Sequence, residues 1–379
     1  MKQLSNMHIG IDARFFGTGG KGLGRYTEKL VKNLEKLDGF NRYTIFLRPE
    51  NYDEYRPANP RFQKVLAPYR WYSLAEQLFF PRLMRNAQVD LMHFLHFNVP
   101  YLYRGPFIVT IHDLIITNYP TRKATTLGPI KYWFKRTGYR FVISSAVKRA
   151  KKVISVSEYT KRELCQFFGL HPDRVGVTYE AADMFPESTR QDNEVLSNYG
   201  LKKPYLLYVG NAYPHKNLEL LLDAIEELVK TTSDLKLVMV GKNDYFFDRL
   251  KELSVRRKLA GLVEFTGYVP DDHLPALYRQ AVIYVFPSLA EGFGLPPLEA
   301  MQYGTPVASS SVSSLPEVLG DAAAYFDPKN KRAIVMVLSD LLQHSEKRVL
   351  LQERGFHQVS KYSWERMAKE TIEYYKTAT

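Results

Sequence analysis

"VIYVFPSLAEGFGLPPLEAM", residues 282–301, decides how the rest of the chain reads. Its first seven residues are a near-continuous apolar run, which predicts a strand buried on both faces. Ala290, Glu291, Gly292, Phe293 and Gly294 then form a loop at the C-terminal end of that strand. Pro296 suits the first position of a helix, where a missing N–H costs nothing. The helix should stop at Gly304 and be sealed off by Pro306. The expectation is strand, glycine loop, helix: one step of a parallel α/β sheet. Gly292 and Gly294 let backbone come close to a ligand, and N–H groups at a helix start favour an anion. Glu299 falls in or near the first helical turn. Its acceptor-only carboxylate suits a vicinal diol, which can give it both hydroxyl protons. Glu291 sits on the loop, nearer the anion, placed to accept from sugar hydroxyls. A competing reading has both glutamates facing solvent and serving only the helix dipole.

The same alternation extends both ways. Upstream, "HIGIDA" (8–13) leads into a glycine-rich stretch and a helix, "GRYTEKLVKNLEKL". Then come "YTIFL", "FQKVL", a helix near 72–87, "LMHFL", "FIVTI", a long helix in 129–150, "KVISVS" and "RVGVTY". The stretch 180–204 is polar, holds two prolines and shows no clear strand, so it reads as a linker. A second series follows: "YLLYVG" (205–210), a helix near 217–230, "LKLVMVG", a helix in 246–258, "VEFTGYV", the quoted strand, "AAAYFDP", and helices filling 330–379. Strands alternating with helices predict parallel sheets covered on both faces. A chain of 379 residues accommodates two such domains. The fold class expected is α/β, with two doubly wound, Rossmann-like domains. Their boundaries are 1–184 and 185–361, and ligands belong at the C-terminal ends of the strands.

Composition narrows the partners. Lys and Arg outnumber Asp and Glu by 52 to 40, giving +12, which favours an acidic partner. The stretch Thr121–Lys152 holds ten basic residues and no acidic one; Lys131, Lys135, Arg136 and Arg140 interleave there with Trp133 and other aromatics. Basic residues beside aromatics on a helix suit an anionic membrane surface. A solvated helix face is the plainer alternative. No motif for nucleic acid accompanies the charge. The single cysteine, Cys165, rules out an internal disulfide and reads as a packed thiol in a reducing compartment. The first residues lack the apolar core of a signal peptide, and no run of about 18 apolar residues could span a bilayer. His93 and His96, three apart on a strand-like run, fall on opposite faces and make no metal site. No Asp-x-Asp occurs, so neither metal nor other cofactor is expected.

Three further candidates follow strands. Lys216 comes after "YVG" and before a helix, well placed to neutralise a bound anion. His112 ends a strand in "VTIHDL", with Asp113 orienting its loop. The spacing Gly17-x-Gly19-x-x-Gly22 matches a dinucleotide fingerprint, but no acidic residue follows at the required distance. Gly22 and Gly24 would instead allow close approach of a ligand.

"EGFGLPPLEAMQYGTPV", "YVGNAYPHKNLELLLDAI", "VASSSVSSLPEVLGDAAAYFDP", "IGIDARFFGTGGKGLGRYTEKL" and "VTIHDL" together resemble the retaining GT-B glycosyltransferases of family 4. The resemblance covers most of the chain, least clearly 40–90 and 118–150. It implies an N-terminal acceptor domain, a C-terminal nucleotide-sugar domain, and a C-terminal helix (362–379) packing back on the first. It implies that Glu299 binds the nucleotide ribose and Glu291 the donor sugar. The backbone of Phe293, Gly294 and Leu295 would line the sugar and diphosphate, and His112 would contact the donor sugar. Many members carry an arginine where this chain has Asn211; His215, Arg14 and Arg25 are candidates to compensate. The opening and "VTIHDL" resemble the mannosyltransferase branch, which implies GDP-mannose, with a UDP-sugar as the alternative. The acceptor would be a glycan or lipid-linked sugar at the inner face of the cytoplasmic membrane. A non-catalytic binding protein of the same fold is the rival reading.

Overall fold

A computed structural model describes residues 6–17, 21–119, 129–232 and 234–378; for Lys21, residues 129–132, Phe134 and Lys135 it describes the backbone alone. The chain divides into two units. The first comprises Met1–Thr117, Leu127–Glu180 and Ser363–Thr379, the second Asn118–Thr126 and Ala181–Tyr362.

Seven strands form the sheet of the first unit: β1 (His8–Asp12), β2 (Arg42–Leu47), β3 (Phe62–Leu66), β4 (Leu91–Phe94), β5 (Phe107–Ile111), β6 (Lys152–Ser155) and β7 (Val175–Val177). Their order is β3-β2-β1-β4-β5-β6-β7, with every pair parallel. The second unit repeats the plan with β8 (Tyr205–Val209), β9 (Lys236–Val240), β10 (Val263–Gly267), β11 (Ile283–Phe286), β12 (Val307–Ser310) and β13 (Ala323–Phe326). Their order is β10-β9-β8-β11-β12-β13, again all parallel. β1, β4, β5, β8 and β11 are buried almost throughout because helices cover both faces, which is why they read as unbroken apolar runs. In each sheet the strand order reverses once, between β1 and β4 and between β8 and β11. Those reversals open crevices at the strand C-termini, where doubly wound sheets bind ligands.

The last helix, Trp364–Thr377, returns to the first unit and packs on the helix Lys21–Leu37. Tyr375 Oη lies 2.8 Å from His93 Nδ1. The N–H of Val177 donates to Tyr374 Oη at 3.2 Å, against Gly176, where a Cβ would meet the Tyr374 ring at 2.2 Å. Cys165 is half-buried against the core of this unit, and burial raises its thiol pKa.

The structure departs from the sequence reading in several places. Residues 180–204 are not a bare linker: helix Asp192–Asn198 packs on helix Leu274–Gln280, where Arg279 pairs with Asp192 (2.7 Å) and Glu187 (2.9 Å). β12 was hidden by its serines, but both are buried, and Ser310 Oγ donates to the Ser288 carbonyl at 2.6 Å. A helix at Glu158–Phe168, capped by Ser157 and ended by Gly169 at φ 64°, also escaped the sequence reading.

Candidate active site

The candidates fall into two groups, each at the strand C-termini of its own unit. In the second unit, the loops after β8 and β11 flank the reversal of strand order. They are stitched together: the N–H of Leu289 donates to the His215 carbonyl at 2.7 Å. Asn217, at φ 59°, uses its amide to bridge the carbonyls of Pro287 (3.1 Å) and Pro328 (2.7 Å). This stitching brings Lys216 Nζ to 2.5 Å from Glu291 Oε1, with the two side chains only 11% and 10% exposed. The Glu291 backbone is fixed in turn, its N–H donating to Ser313 Oγ at 3.0 Å. Ser314 Oγ lies 3.0 Å from the Glu291 carbonyl and 3.2 Å from that of Phe293. Neither serine was singled out by sequence, because small polar residues in "SSVSSLPEV" carry no pattern of their own.

The helix after this loop runs Leu295–Gln302. Pro296 is therefore its second residue rather than its first, and Glu299, the fifth residue, lies just past the first turn, near it as expected. Both Pro296 and Pro297 lack an N–H, so Leu295 is the residue that carries one in the first turn. An anion here depends on that single helical donor, the loop before it and Lys216, and less on the helix start than the sequence suggested. Glu299 is 5% exposed and accepts from Tyr278 Oη at 3.1 Å. The reading of both glutamates as solvent-facing is thus overturned. Gly294, at φ 99°, has no room for a Cβ, which would meet Leu315 at 2.6 Å. Phe293 buries its ring edge-to-face on Tyr362 at 5.5 Å, which leaves its backbone as the part able to line a ligand.

In the first unit, His112 follows β5. Its Nδ1 is 3.0 Å from Glu180 Oε1 and its Nε2 is 3.1 Å from the Leu95 carbonyl. Tyr26 meets the ring edge-on at 4.6 Å. Glu180 is 68 residues from His112, and no motif links them. Gly22 and Gly24 lie inside the helix Lys21–Leu37 and not on a loop. A Cβ on Gly24 would sit 2.1 Å from the Gly17 carbonyl oxygen, so the chain's own packing requires that glycine. Gly22 faces open space.

Comparison with known proteins fits this geometry. Residues 190–358 match the family model for glycosyl transferases group 1, and residues 20–184 match that for glycosyltransferase family 4. The O-antigen chain mannosyltransferase B of Escherichia coli is 32% identical over 94% of this chain and 96% of its own length. The chain belongs to glycosyltransferase family 4. The O-antigen chain mannosyltransferase RfbU of Salmonella typhimurium is 27% identical over 73% of this chain and 72% of its own. Sucrose-phosphate synthase from Thermosynechococcus elongatus superposes with a TM-score of 0.78 at 18% identity, covering 98% of each chain. The fold is GT-B, and the chain is a glycosyltransferase.

Within this transferase the cations expected to compensate for Asn211 behave differently. Arg14 is spent: its guanidinium is fully buried, 2.7 Å from Asp12 Oδ1 and 2.7 Å from Glu76 Oε1. Burial opposes its charge, but the two carboxylates outweigh burial and raise its pKa. Burial, helped by Lys216, pushes His215 down to about 4, so it is neutral at pH 7. Arg25 lies in the helix Lys21–Leu37 of the first unit. Asn211 itself shapes the loop, its Oδ1 accepting from the Tyr213 N–H at 3.2 Å.

The basic helix spans Pro129–Arg149 and is held in the core by Ile143, Ala146 and Val147. Trp133 is 60% exposed; Arg140 is exposed and Arg136 half-buried. The side chains of Lys131 and Lys135, and all of Arg122 and Lys123, lie outside the described residues. Among the described residues no helix is long and apolar enough to cross a membrane, and no three His, Cys, Asp or Glu side chains converge as metal ligands.

Proposed function

We propose that this glycosyltransferase moves a mannosyl residue from GDP-mannose, with retention and without a metal, to a sugar hydroxyl of a lipid-linked glycan at an anionic membrane surface. The observation that carries the reading is the buried Lys216–Glu291 pair at the β8/β11 reversal, with buried Glu299 on the helix that follows. The lysine suits the diphosphate, Glu291 the sugar, and Glu299 the ribose diol. The names of the O-antigen mannosyltransferases in its family support mannose.

In the proposed step the bond from the anomeric carbon to the diphosphate oxygen breaks. The acceptor oxygen bonds that carbon on the same face, and its proton passes to the departing diphosphate. His112 is unsuited to take this proton, because both ring nitrogens already face acceptors. Lys216 and the backbone at Leu295 stabilise the departing charge, a contribution of several kcal/mol in comparable sites.

Membrane action is supported by exposed apolar side chains on the first unit. Leu74, Leu78 and Phe79 on helix Leu74–Asn86 are exposed, as are Trp133 and Phe141 on the basic helix. Tyr101 joins the two sets: its N–H donates to Gln77 Oε1 at 2.7 Å and its ring lies 5.2 Å from that of Phe141.

The test is a thermal-shift panel of GDP, UDP, ADP and their sugars, with and without EDTA. A ligand at a hundred times its dissociation constant adds about 2.7 kcal/mol of stability. The expected result is a shift with GDP and GDP-mannose, indifferent to EDTA and lost in Glu299→Ala. A shift with UDP alone would transfer the donor to the uridine series. No shift with any nucleotide would overturn the donor site.

A further inference from the structure

The geometry around His112 points to a residue with no part in the mechanism so far. His112 Nδ1 faces the carboxylate of Glu180 at 3.0 Å, and Nε2 faces the carbonyl of Leu95 at 3.1 Å. A neutral imidazole carries one N–H and one acceptor nitrogen. Neither Glu180 as a carboxylate nor a backbone carbonyl can donate, so satisfying both contacts requires both ring nitrogens to be protonated. Glu180 is itself buried, 7% exposed, and is the last residue of the first unit before the chain passes to Ala181.

We propose that Glu180 is a positioning residue that favours the charged, donor-only imidazolium form of His112 at the C-terminal end of β5. In that form the ring can neither take a proton nor accept a hydrogen bond. It can only donate, by releasing the Leu95 carbonyl and turning Nε2–H to an oxygen of a ligand bound at the end of β5, while Nδ1–H stays on Glu180. The inference rests on the transferase reading for its effect on turnover, but the charge state itself does not.

The surroundings agree. The titratable groups around the ring are Glu180 after β7, Asp113 beside it, Tyr26 on the helix Lys21–Leu37, His93 on β4 and His96 after it. Burial pushes His93 and His96 down to about 3, so both are neutral and do not repel a charged His112. His93 is fully engaged by Tyr375 Oη (2.8 Å) and Thr110 Oγ1 (2.9 Å). For His112, burial opposes the charge, but the hydrogen bond and charge of Glu180, the Leu95 carbonyl and Asp113 more than offset it.

The test uses the full chain, with histidine side-chain nitrogens followed by NMR across pH 5–9. In the wild type, His112 should show both nitrogens protonated at pH 7. In Glu180→Gln its midpoint should fall by about one pH unit or more, and Glu180→Asp should restore part of it. With GDP-mannose as donor, the alkaline limb of kcat/KM should move to lower pH in Glu180→Gln. In a His112→Asn background the same Glu180 change should add little further loss. An unmoved His112 midpoint in a folded Glu180→Gln, or an equal loss of turnover with and without His112, would overturn the proposal. Should Glu180→Gln fail to fold, Glu180→Asp carries the same comparison. If the wild type does not turn over GDP-mannose, the donor assignment fails, while the nitrogen spectra still decide on Glu180.

Discussion

Lys216 and Glu291 form an ion pair that is about nine-tenths buried, and such pairs behave asymmetrically. Removing one partner strands the other charge, which typically costs 3–5 kcal/mol when fully buried, whereas removing both together costs much less. Lys216→Met alone should therefore destabilise the second unit by roughly 2–4 kcal/mol. Lys216→Met with Glu291→Gln should recover most of that loss without recovering turnover. Chemical denaturation with an activity assay on the same samples checks both halves. If stability fell by the same amount in the single and double variants, the pair would be making no net contribution. The pair is also the part of the site most open to sequence reading. Glu291 and Glu299 lie on one strand–loop–helix step, and Lys216 lies on its twin, so local pattern suffices to pick them out. Glu180 is different: its partner lies on another strand, and only the parallel sheet brings the ends of β5 and β7 close enough for contact.

At the scale of elements, the exposed face of helix Leu74–Asn86 bears directly on the membrane proposal. Its sequence mixes apolar and basic residues, "LAEQLFFPRLMRN", so an amphipathic helix with a buried stripe is the natural reading. Phe80 and Met84 do supply that stripe, but Leu74, Leu78 and Phe79 remain outside it. Glu76, the helix's one acid, is fully buried against Arg14 and Asn98, so it does not offset the arginines at 82 and 85. Leu78→Ser with Phe79→Ser should reduce cosedimentation with phosphatidylglycerol vesicles several-fold and leave the melting temperature nearly unchanged. Unchanged cosedimentation would remove this helix from the membrane surface. The same element shows where sequence reading stops. Periodicity gives a helix and a buried face; which leftover apolar residues stay in the open is decided by neighbours distant in sequence. β12 failed for a related reason, since Ser310 satisfies its hydroxyl on the Ser288 carbonyl, which only the folded sheet brings near.

At the scale of the whole molecule, the alternation of strands and helices made the two-sheet α/β plan legible from end to end. The strand orders were not, because order depends on crossovers and not on local composition. The helix Trp364–Thr377 gives the last prediction. Ending the chain at Tyr362 should expose the side of the first unit where Trp364, Met367, Thr371 and Tyr375 are buried. Hydrogen exchange should then rise across β1, β4, β7 and the helix Lys21–Leu37, while the second unit keeps its protection. A uniform rise in both units would show that the two unfold together.

That returning helix also reverses the usual order of assembly. Domains generally fold as they leave the ribosome, the N-terminal one first, at about 5–20 residues per second. Here the first unit has its seven strands once Val177 has emerged, yet it waits for Trp364–Thr377. At those rates the delay is roughly 10–40 s. In that interval the first unit, its sheet complete, carries an uncovered apolar side, while the second unit, whose segment Ala181–Tyr362 is unbroken, can be finished. The piece made first is completed last, and the nascent chain is most exposed to aggregation and to chaperones while its second half is being written.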